Sequence, residues 1–414
     1  MTADTSRRGF LGTGLGGLGA AALAGRAGAT PPPLMHPHGA IEPFHGPYQA
    51  GIVTPAQQFL HFAAFDVITD KRADLVDLLR RWTEASARLT AGLPLTGADE
   101  VPADSGEADG LGPARLTVTV GFGPGLFGKD GADRFGLAAR RPEALIDLPR
   151  FNGDQLVPER TGGDLCIQAC ADNAQVAMHA VRTLARIGYG VVQMRWVQAG
   201  FGSGGRSGET PRNLMGFKDG TMNPDGRDAA AMARYVWVGD EGGWMKNGSY
   251  LVARPIRIAL EHWDRMKLAF QEQVVGRQKA SGAPLGQKTE FEAPNLDAND
   301  ADGNPIIPEN SHVRLAAPAA NDGAQILRRA YSYDNGLAMI AERWPPWRQG
   351  MMMDAGLMFL AWQRDPRTGF VKIFENMAKF DMMNQFVTHV GGGLFACPPG
   401  VRPGGFIGEG LFAA

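Results

Sequence analysis

The sequence predicts an α+β fold of two ferredoxin-like domains, each an antiparallel sheet with helices on one face. Three observations carry this. Short apolar runs alternate at strand spacing, and longer runs between them recur at helical spacing. In the first half these runs follow the order β-α-β-β-α-β. The second half nearly repeats that order, with one extra strand at its start. No residue-level repeat links the halves, so the likeness lies in element order alone.

Residues 1–29 are set aside before the fold is read. Ser6-Arg7-Arg8-Gly9-Phe10-Leu11 matches the twin-arginine export consensus, and a Gly/Ala/Leu run follows. Ala27-Gly28-Ala29 then offers a small-residue cleavage site. The apolar run is too short and too glycine-rich to span a membrane. The expected chain is therefore not transmembrane, and is periplasmic or secreted by the twin-arginine pathway. Cargo of that pathway crosses already folded, often with a cofactor inserted beforehand. Residues 30–50 are Pro-rich and aperiodic, which predicts an extended arm. Its His36, His38 and His45 read best as solvated loop histidines.

The first domain is expected over residues 51–215. Gln57–Thr69 reads as a strand, and Arg72–Leu93 as a helix with Leu75, Leu78, Leu79, Trp82 and Leu89 on one face. Ala114–Gly121 alternates as a strand, Asp164–Ala171 is a buried strand, Ala174–Ile187 a helix and Tyr189–Val197 a strand. The second domain is expected over residues 216–414. Tyr235–Val238 and Ser249–Ile258 read as strands, and Leu260–Val275 as a helix with Trp263, Met266, Phe270 and Val274 as its stripe. Residues 276–325 form a loop region of about 50 residues, a length that is usually functional. Gln325–Tyr333 and Gly356–Arg364 are strands, Phe370–Phe386 a helix and His389–Ala396 the last strand.

Hydrophobic residues at 44% and charged residues at 20% are ordinary for a soluble globular protein of 414 residues. A net charge of −2 with no basic tract in the mature part argues against a nucleic-acid partner. Three cysteines cannot build a disulfide scaffold. Cys166 and Cys170, in the run LCIQAC, read as buried small hydrophobes. No nucleophile elbow, Walker A loop, H-E-x-x-H or Rossmann fingerprint stands in a convincing context.

The chemistry concentrates in four stretches. In GFKDGTMNP, Gly216 and Gly220 flank Asp219, so backbone can approach a ligand closely. On spacing alone Asp219 reads first as a turn-former capping its own backbone; its company adds weight to more. His312, in NSHVRLAAP, is a candidate axial donor for a haem iron, although a lone histidine taken without context reads better as a satisfied loop or core residue. Arg328 and Arg329, in ILRRAYSY, point to opposite strand faces. Only one can enter a pocket, and the other is expected to face solvent or a partner acid. That arginine can stabilise charge on a breaking O–O bond. Leu357 and Phe359 share a strand face and can wall a dry pocket, or simply belong to the core. Without C-x-x-C-H, a haem would not be covalently held. Met351-Met352-Met353 offers a copper contact or a partner surface, with an apolar loop packed on the core as the simpler reading.

Together these stretches make the chain resemble the dye-decolourising haem peroxidases, in particular the exported branch that includes the deferrochelatase/peroxidase proteins. VGFGPGLF, GGDLCIQACAD, GLMFLAWQRDP and HVGGGLFACPPG extend the resemblance over almost all of the mature chain. The resemblance implies one non-covalent haem b per chain, with His312 as the metal ligand and Asp381 as the partner of its ring. It implies Asp219 as distal acid and Arg328, rather than Arg329, as distal arginine. Gly220, Thr221 and Met222 match a stretch that approaches the haem, as do Ala317, Pro318 and Ala319. In the latter stretch the family often carries an Asn and an Arg, so the propionate contacts are not matched.

The implied activity reduces hydrogen peroxide and oxidises an organic electron donor, such as a dye, by one-electron steps through a ferryl intermediate. Asp219 would carry a proton from the inner to the outer peroxide oxygen, and Arg328 would stabilise the leaving oxygen. The alternative is a deferrochelatase that releases iron from haem. Iron-uptake or copper-protein partners and a homo-oligomer are further expectations of this kind. Tyr331, Tyr333, Trp344, Trp347 and Trp362 are candidate electron relays, although core residues is the simpler reading.

Overall fold

The computed structural model describes residues 39–95, 104–202, 209–341 and 349–413, with ten strands and eight α-helices among them. The twin-arginine stretch, His36, His38, Trp344 and Trp347 lie outside the described residues. In the first half, β1 (Phe59–Val67), α1 (Arg72–Thr90), β2 (Thr117–Phe122), β3 (Leu165–Ala171), α2 (Ala174–Ile187) and β4 (Val192–Phe201) follow the expected order. Their sheet order is β4-β1-β3-β2, all antiparallel. The apolar stripe of α1 is buried on this sheet, and Trp82 Nε1 donates to the Leu184 carbonyl of α2 at 2.8 Å. The Asn173 side chain caps α2 by accepting from the amides of Gln175 and Val176.

The second half departs more from expectation. α3 (Ala229–Tyr235) ends at the first residue of the expected strand Tyr235–Val238, and residues 236–238 are turn and irregular backbone, so the extra strand is absent. Asp228 starts that helix: its side chain caps the amides of Ala230 and Ala231 ahead of an alanine run. After β5 (Ser249–Ile258), the single helix expected over 260–275 is two, α4 (Leu260–Trp263) and α5 (Leu268–Val275). His312 opens a short helix, α6 (His312–Ala316), instead of lying in open loop. β6 (Leu327–Arg328) and β7 (Tyr331–Ala341) lie end to end on β8 (Gln349–Gln363), in one register as far as Asp334, after which a bulge shifts it. The last helix is shorter than expected: a π turn over Arg367–Val371, then α7 (Lys372–Phe380), then a 3-10 turn over Met382–Gln385. β9 (Val387–His389) and β10 (Gly393–Cys397) share an edge of β5, and α8 (Glu409–Phe412) closes the chain. The main strands order β7-β8-β5-β10, the same 2-3-1-4 pattern as the first half read from its other edge.

Two bridges, Phe201↔Ser332 and Phe122↔Ala396, join the sheets at both edges, so eight strands close on themselves. The interior holds Phe62, Trp196, Tyr331, Tyr333, Met358 and Trp362, all buried. The three cysteines are buried there too. Cys166 and Cys397 both flank Gly121, on β3 and β10, and their thiols meet over the position where that glycine lacks a side chain. Burial pushes the Cys166 thiol well above its ordinary value.

The described part of the arm is docked. Gln49 donates to the carbonyls of Val120 and Pro398, His45 bridges Val401, and Tyr48 stacks on Trp237 at 4.1 Å. The run Met351–Met353 lies in β8, paired with Leu337–Met339, where Met339, Met351 and Met353 are exposed. It is a strand with outward-facing methionines, not a loop packed on the core.

Candidate functional site

Alternation along β5 and β8 sends Ile256, Ile258, Leu357 and Phe359 to the sheet face opposite the closed interior. Phe370, Phe374 and Met377 of the π turn and α7 stand over that face, and a largely apolar cavity lies between. Two sets of polar groups in it are paired across the chain.

The first is at the start of α6. His312 Nδ1 lies 2.7 Å from Asp381 Oδ2, at the junction of α7 and the 3-10 turn. The other oxygen of Asp381 accepts from the Met383 amide at 2.8 Å, so the carboxylate is fixed from both sides. Burial opposes a charge on His312, but the Asp381 carboxylate outweighs it and holds the ring above the ordinary histidine range. With Nδ1 donating to Asp381, Nε2 is the ring's free electron-pair donor.

The second is at the loop 216–224. Gly216 and Gly220 adopt φ of +85° and +108°, where a side chain would be strained. Between them Asp219 Oδ1 accepts from Arg328 Nη1 at 2.7 Å. Asn223 fastens the loop to β6, with its Nδ2 donating to the Arg328 carbonyl and its Oδ1 accepting from the Arg328 amide. Glu290 fastens the other side by accepting from Lys218 and, at 3.0 Å, from Thr221 Oγ1.

Asp219, Gly220, Thr221, Met222, His312, Ala317, Pro318, Arg328, Leu357, Phe359 and Asp381 all line this cavity. Ala319 does not; it is exposed within the turn that Pro318 begins. Arg329 points the other way, as strand alternation requires, but it meets neither solvent nor an acid. It is buried and donates to the Thr54 carbonyl and to Gln57 Oε1. Tyr331, Tyr333 and Trp362 are buried in the closed interior. Sequence reasoning missed Asn223, Arg277 and Glu290. Asn223 showed itself only as the turn dipeptide Asn-Pro, and the other two lie in the aperiodic 276–325 stretch.

The site brings a carboxylate-oriented imidazole and a carboxylate–guanidinium pair to one water-poor space. Among the described residues no group of three or more His, Cys, Asp or Glu side chains can hold a metal ion. An iron here needs most of its donors from a macrocycle, and the apolar walls suit one.

Family models described as "Dyp-type peroxidase, N-terminal" and "Dyp-type peroxidase, C-terminal" match residues 49–202 and 210–402. A dye-decolorizing peroxidase of Thermobifida fusca is 38% identical, over 98% of this chain and 97% of its own. A deferrochelatase of Escherichia coli K12 is 37% identical, over 87% of this chain and 84% of its own. Among solved structures, ferric DtpA from Streptomyces lividans aligns with a TM-score of 0.82 at 38% identity, covering 91% of this chain and 98% of that one. A DyP-type peroxidase from Streptomyces coelicolor aligns with 0.84 at 39%, covering 93% and 100%.

Proposed function

The chain belongs to the Dyp-type peroxidase family, and from that membership we propose that its cavity takes one non-covalent haem b, held at the iron by His312. The enzyme reduces hydrogen peroxide and oxidises a donor. The observation that carries the site assignment is the pair of 2.7 Å contacts, His312–Asp381 and Arg328–Asp219, facing one apolar cavity. When bound, haem supplies the redox centre for peroxide reduction.

The protein's part is positioning and proton movement. Asp381 fixes the His312 ring, whose Nε2 would hold the iron. The Asp219 carboxylate is placed to take a proton from one oxygen of hydrogen peroxide and give it to the other, which would leave as water when bound haem supplies the two electrons for O–O cleavage and keeps the remaining oxygen. Arg328 orients Asp219 through Oδ1 and stabilises negative charge on the departing oxygen. The apolar walls Leu357 and Phe359 keep competing water away.

The test is an absorption spectrum of the haem-loaded protein before and after one equivalent of peroxide. The wild type is expected to show a Soret band that shifts on mixing. Asp219→Ala is expected to keep the band and slow its shift by about 10²-fold or more. Failure to take up haem, or a His312→Ala spectrum identical to wild type, would overturn the reading.

A second reading is favoured by the Escherichia coli relatives named deferrochelatase: release of iron from haem. It predicts that metal-free porphyrin fluorescence grows while peroxide turnover stays slow. We also infer export by the twin-arginine route from Ser6-Arg7-Arg8-Gly9-Phe10-Leu11. Replacing both arginines by lysine should then leave the unprocessed chain in the cytoplasm, as a fractionated immunoblot would record.

A further inference from the structure

We propose that Arg277 is an anion anchor for a propionate carboxylate of the bound porphyrin, an inference that rests on the haem reading above. Three observations converge on it. The first is an orphaned donor. Arg277 lines the cavity and is only 4% exposed. Its Nη1 donates to the carbonyls of Gly282 and Glu290 at 2.7 and 2.8 Å, while its buried Nη2 has no hydrogen-bond partner among the described residues.

The second is the charge inventory. Lys218, Arg277 and Arg328 are the lysine and arginine side chains among the described cavity-lining residues. Lys218 pairs with Glu290, and Arg328 with Asp219. No carboxylate within ion-pairing distance of Arg277 is found among the described residues. The carboxyl oxygens of Glu290 are occupied by Lys218 and Thr221, and only its backbone carbonyl serves Arg277. A guanidinium buried without a counter-charge is costly. A ligand that brings its own carboxylate removes that cost, and the N–H bonds of Nη2 suit carboxylate oxygens.

The third is position. Arg277 follows Gly276, which ends α5 with φ of +86° and packs against Ser311, the residue before His312. Its other neighbour, Gly282, packs against the Lys218 side chain, the residue before Asp219. Arg277 therefore stands on the cavity wall between the His312 segment and the Asp219 loop. The carboxylate edge of a porphyrin lying between those two segments would reach the protein there. Ala317, also on the cavity, offers no side-chain donor for that purpose.

The experiment titrates apoprotein with haem and with haem dimethyl ester, in which both propionates are esterified, and follows the Soret band. Wild type is expected to bind the ester about ten- to a hundredfold more weakly than haem. In Arg277→Gln that ratio is expected to fall towards one, through loss of haem affinity alone. Because Nη1 also ties the Gly282 and Glu290 carbonyls, Arg277→Lys is run beside it. Lysine keeps the charge and cannot both hold those carbonyls and present a second nitrogen, so its ratio is expected to fall as well. An unchanged ratio in either folded variant overturns the assignment. Equal wild-type affinity for both porphyrins overturns it while leaving the haem reading intact. Uptake of neither overturns the haem reading and this inference together.

Discussion

Asp381 spends one oxygen on His312 and the other on the Met383 amide, so it can act only by holding the ring still. Asp381→Asn should therefore lower haem affinity about 10- to 100-fold. The rate of haem transfer to apomyoglobin measures this. A fold defect would also lower the melting temperature of the apoprotein; loss of positioning alone would not. Asp219, His312 and Arg328 could be singled out as candidates because each sits in a short stretch with its own turn, loop or strand signature, but their roles come from the family resemblance. Asp381 was visible only through family resemblance, since nothing local distinguishes it from any acid at a helix end. The fate of Arg329 was misread for a different reason. Alternation fixes which face a side chain takes, but here the opposite face is closed by Thr54 and Gln57 from a distant part of the chain.

Two elements carry consequences of their own. Gly356 on β8 pairs beside β5 so closely that a Cβ there would lie 1.9 Å from the Ile256 carbonyl oxygen. That neighbour is backbone and cannot rotate away. Gly356→Ala should cost about 1–3 kcal/mol, read by urea unfolding. Haem affinity should fall with it, since Ile256 and Leu357 wall the cavity. The second element is the segment Asp104–Asp109, docked on α2. Burial disfavours the Glu107 carboxylate, but hydrogen bonds from Ser105, its own backbone, His179 and Arg182 outweigh this and bring its pKa from 4.5 to about 2. A depressed carboxyl stabilises the fold above its unfolded value, and that contribution is lost as pH falls from about 4.5 towards about 2. Glu107→Gln should flatten this part of the stability–pH curve, measured by urea midpoints from pH 5 down, roughly the window of carboxyl titration. At this scale the first half was well read, because α1 and α2 have clean apolar stripes. Elements of the second half were misjudged where short apolar runs stay irregular, as residues 236–238 do after α3.

Across the whole molecule, the two halves share one interior. Side chains of β1, β3 and β4 interleave there with those of β5, β7, β8 and β10. Trp362→Ala should cost about 3–5 kcal/mol. Far-UV circular dichroism and Soret loss should report one coincident, shifted transition. Two separated transitions would mean that the halves unfold independently. The order of elements along the first half followed from the sequence, and along the second half apart from the extra strand. The closure of the two sheets did not, because it rests on two residue pairs, Phe201↔Ser332 and Phe122↔Ala396, with no local signature.

The thiols over Gly121 reach further than packing. Cys166 and Cys397 lie two strands apart, so their Cα atoms are about 9.5 Å from each other, beyond the roughly 7 Å that a cystine can bridge. Cys170, four residues along β3 from Cys166, is about 13 Å away by strand rise. No pair among them can be oxidised without tearing a strand from its neighbour. Dithiothreitol should therefore leave the melting temperature unchanged. Folding is accordingly expected to reach the same state under glutathione as under air.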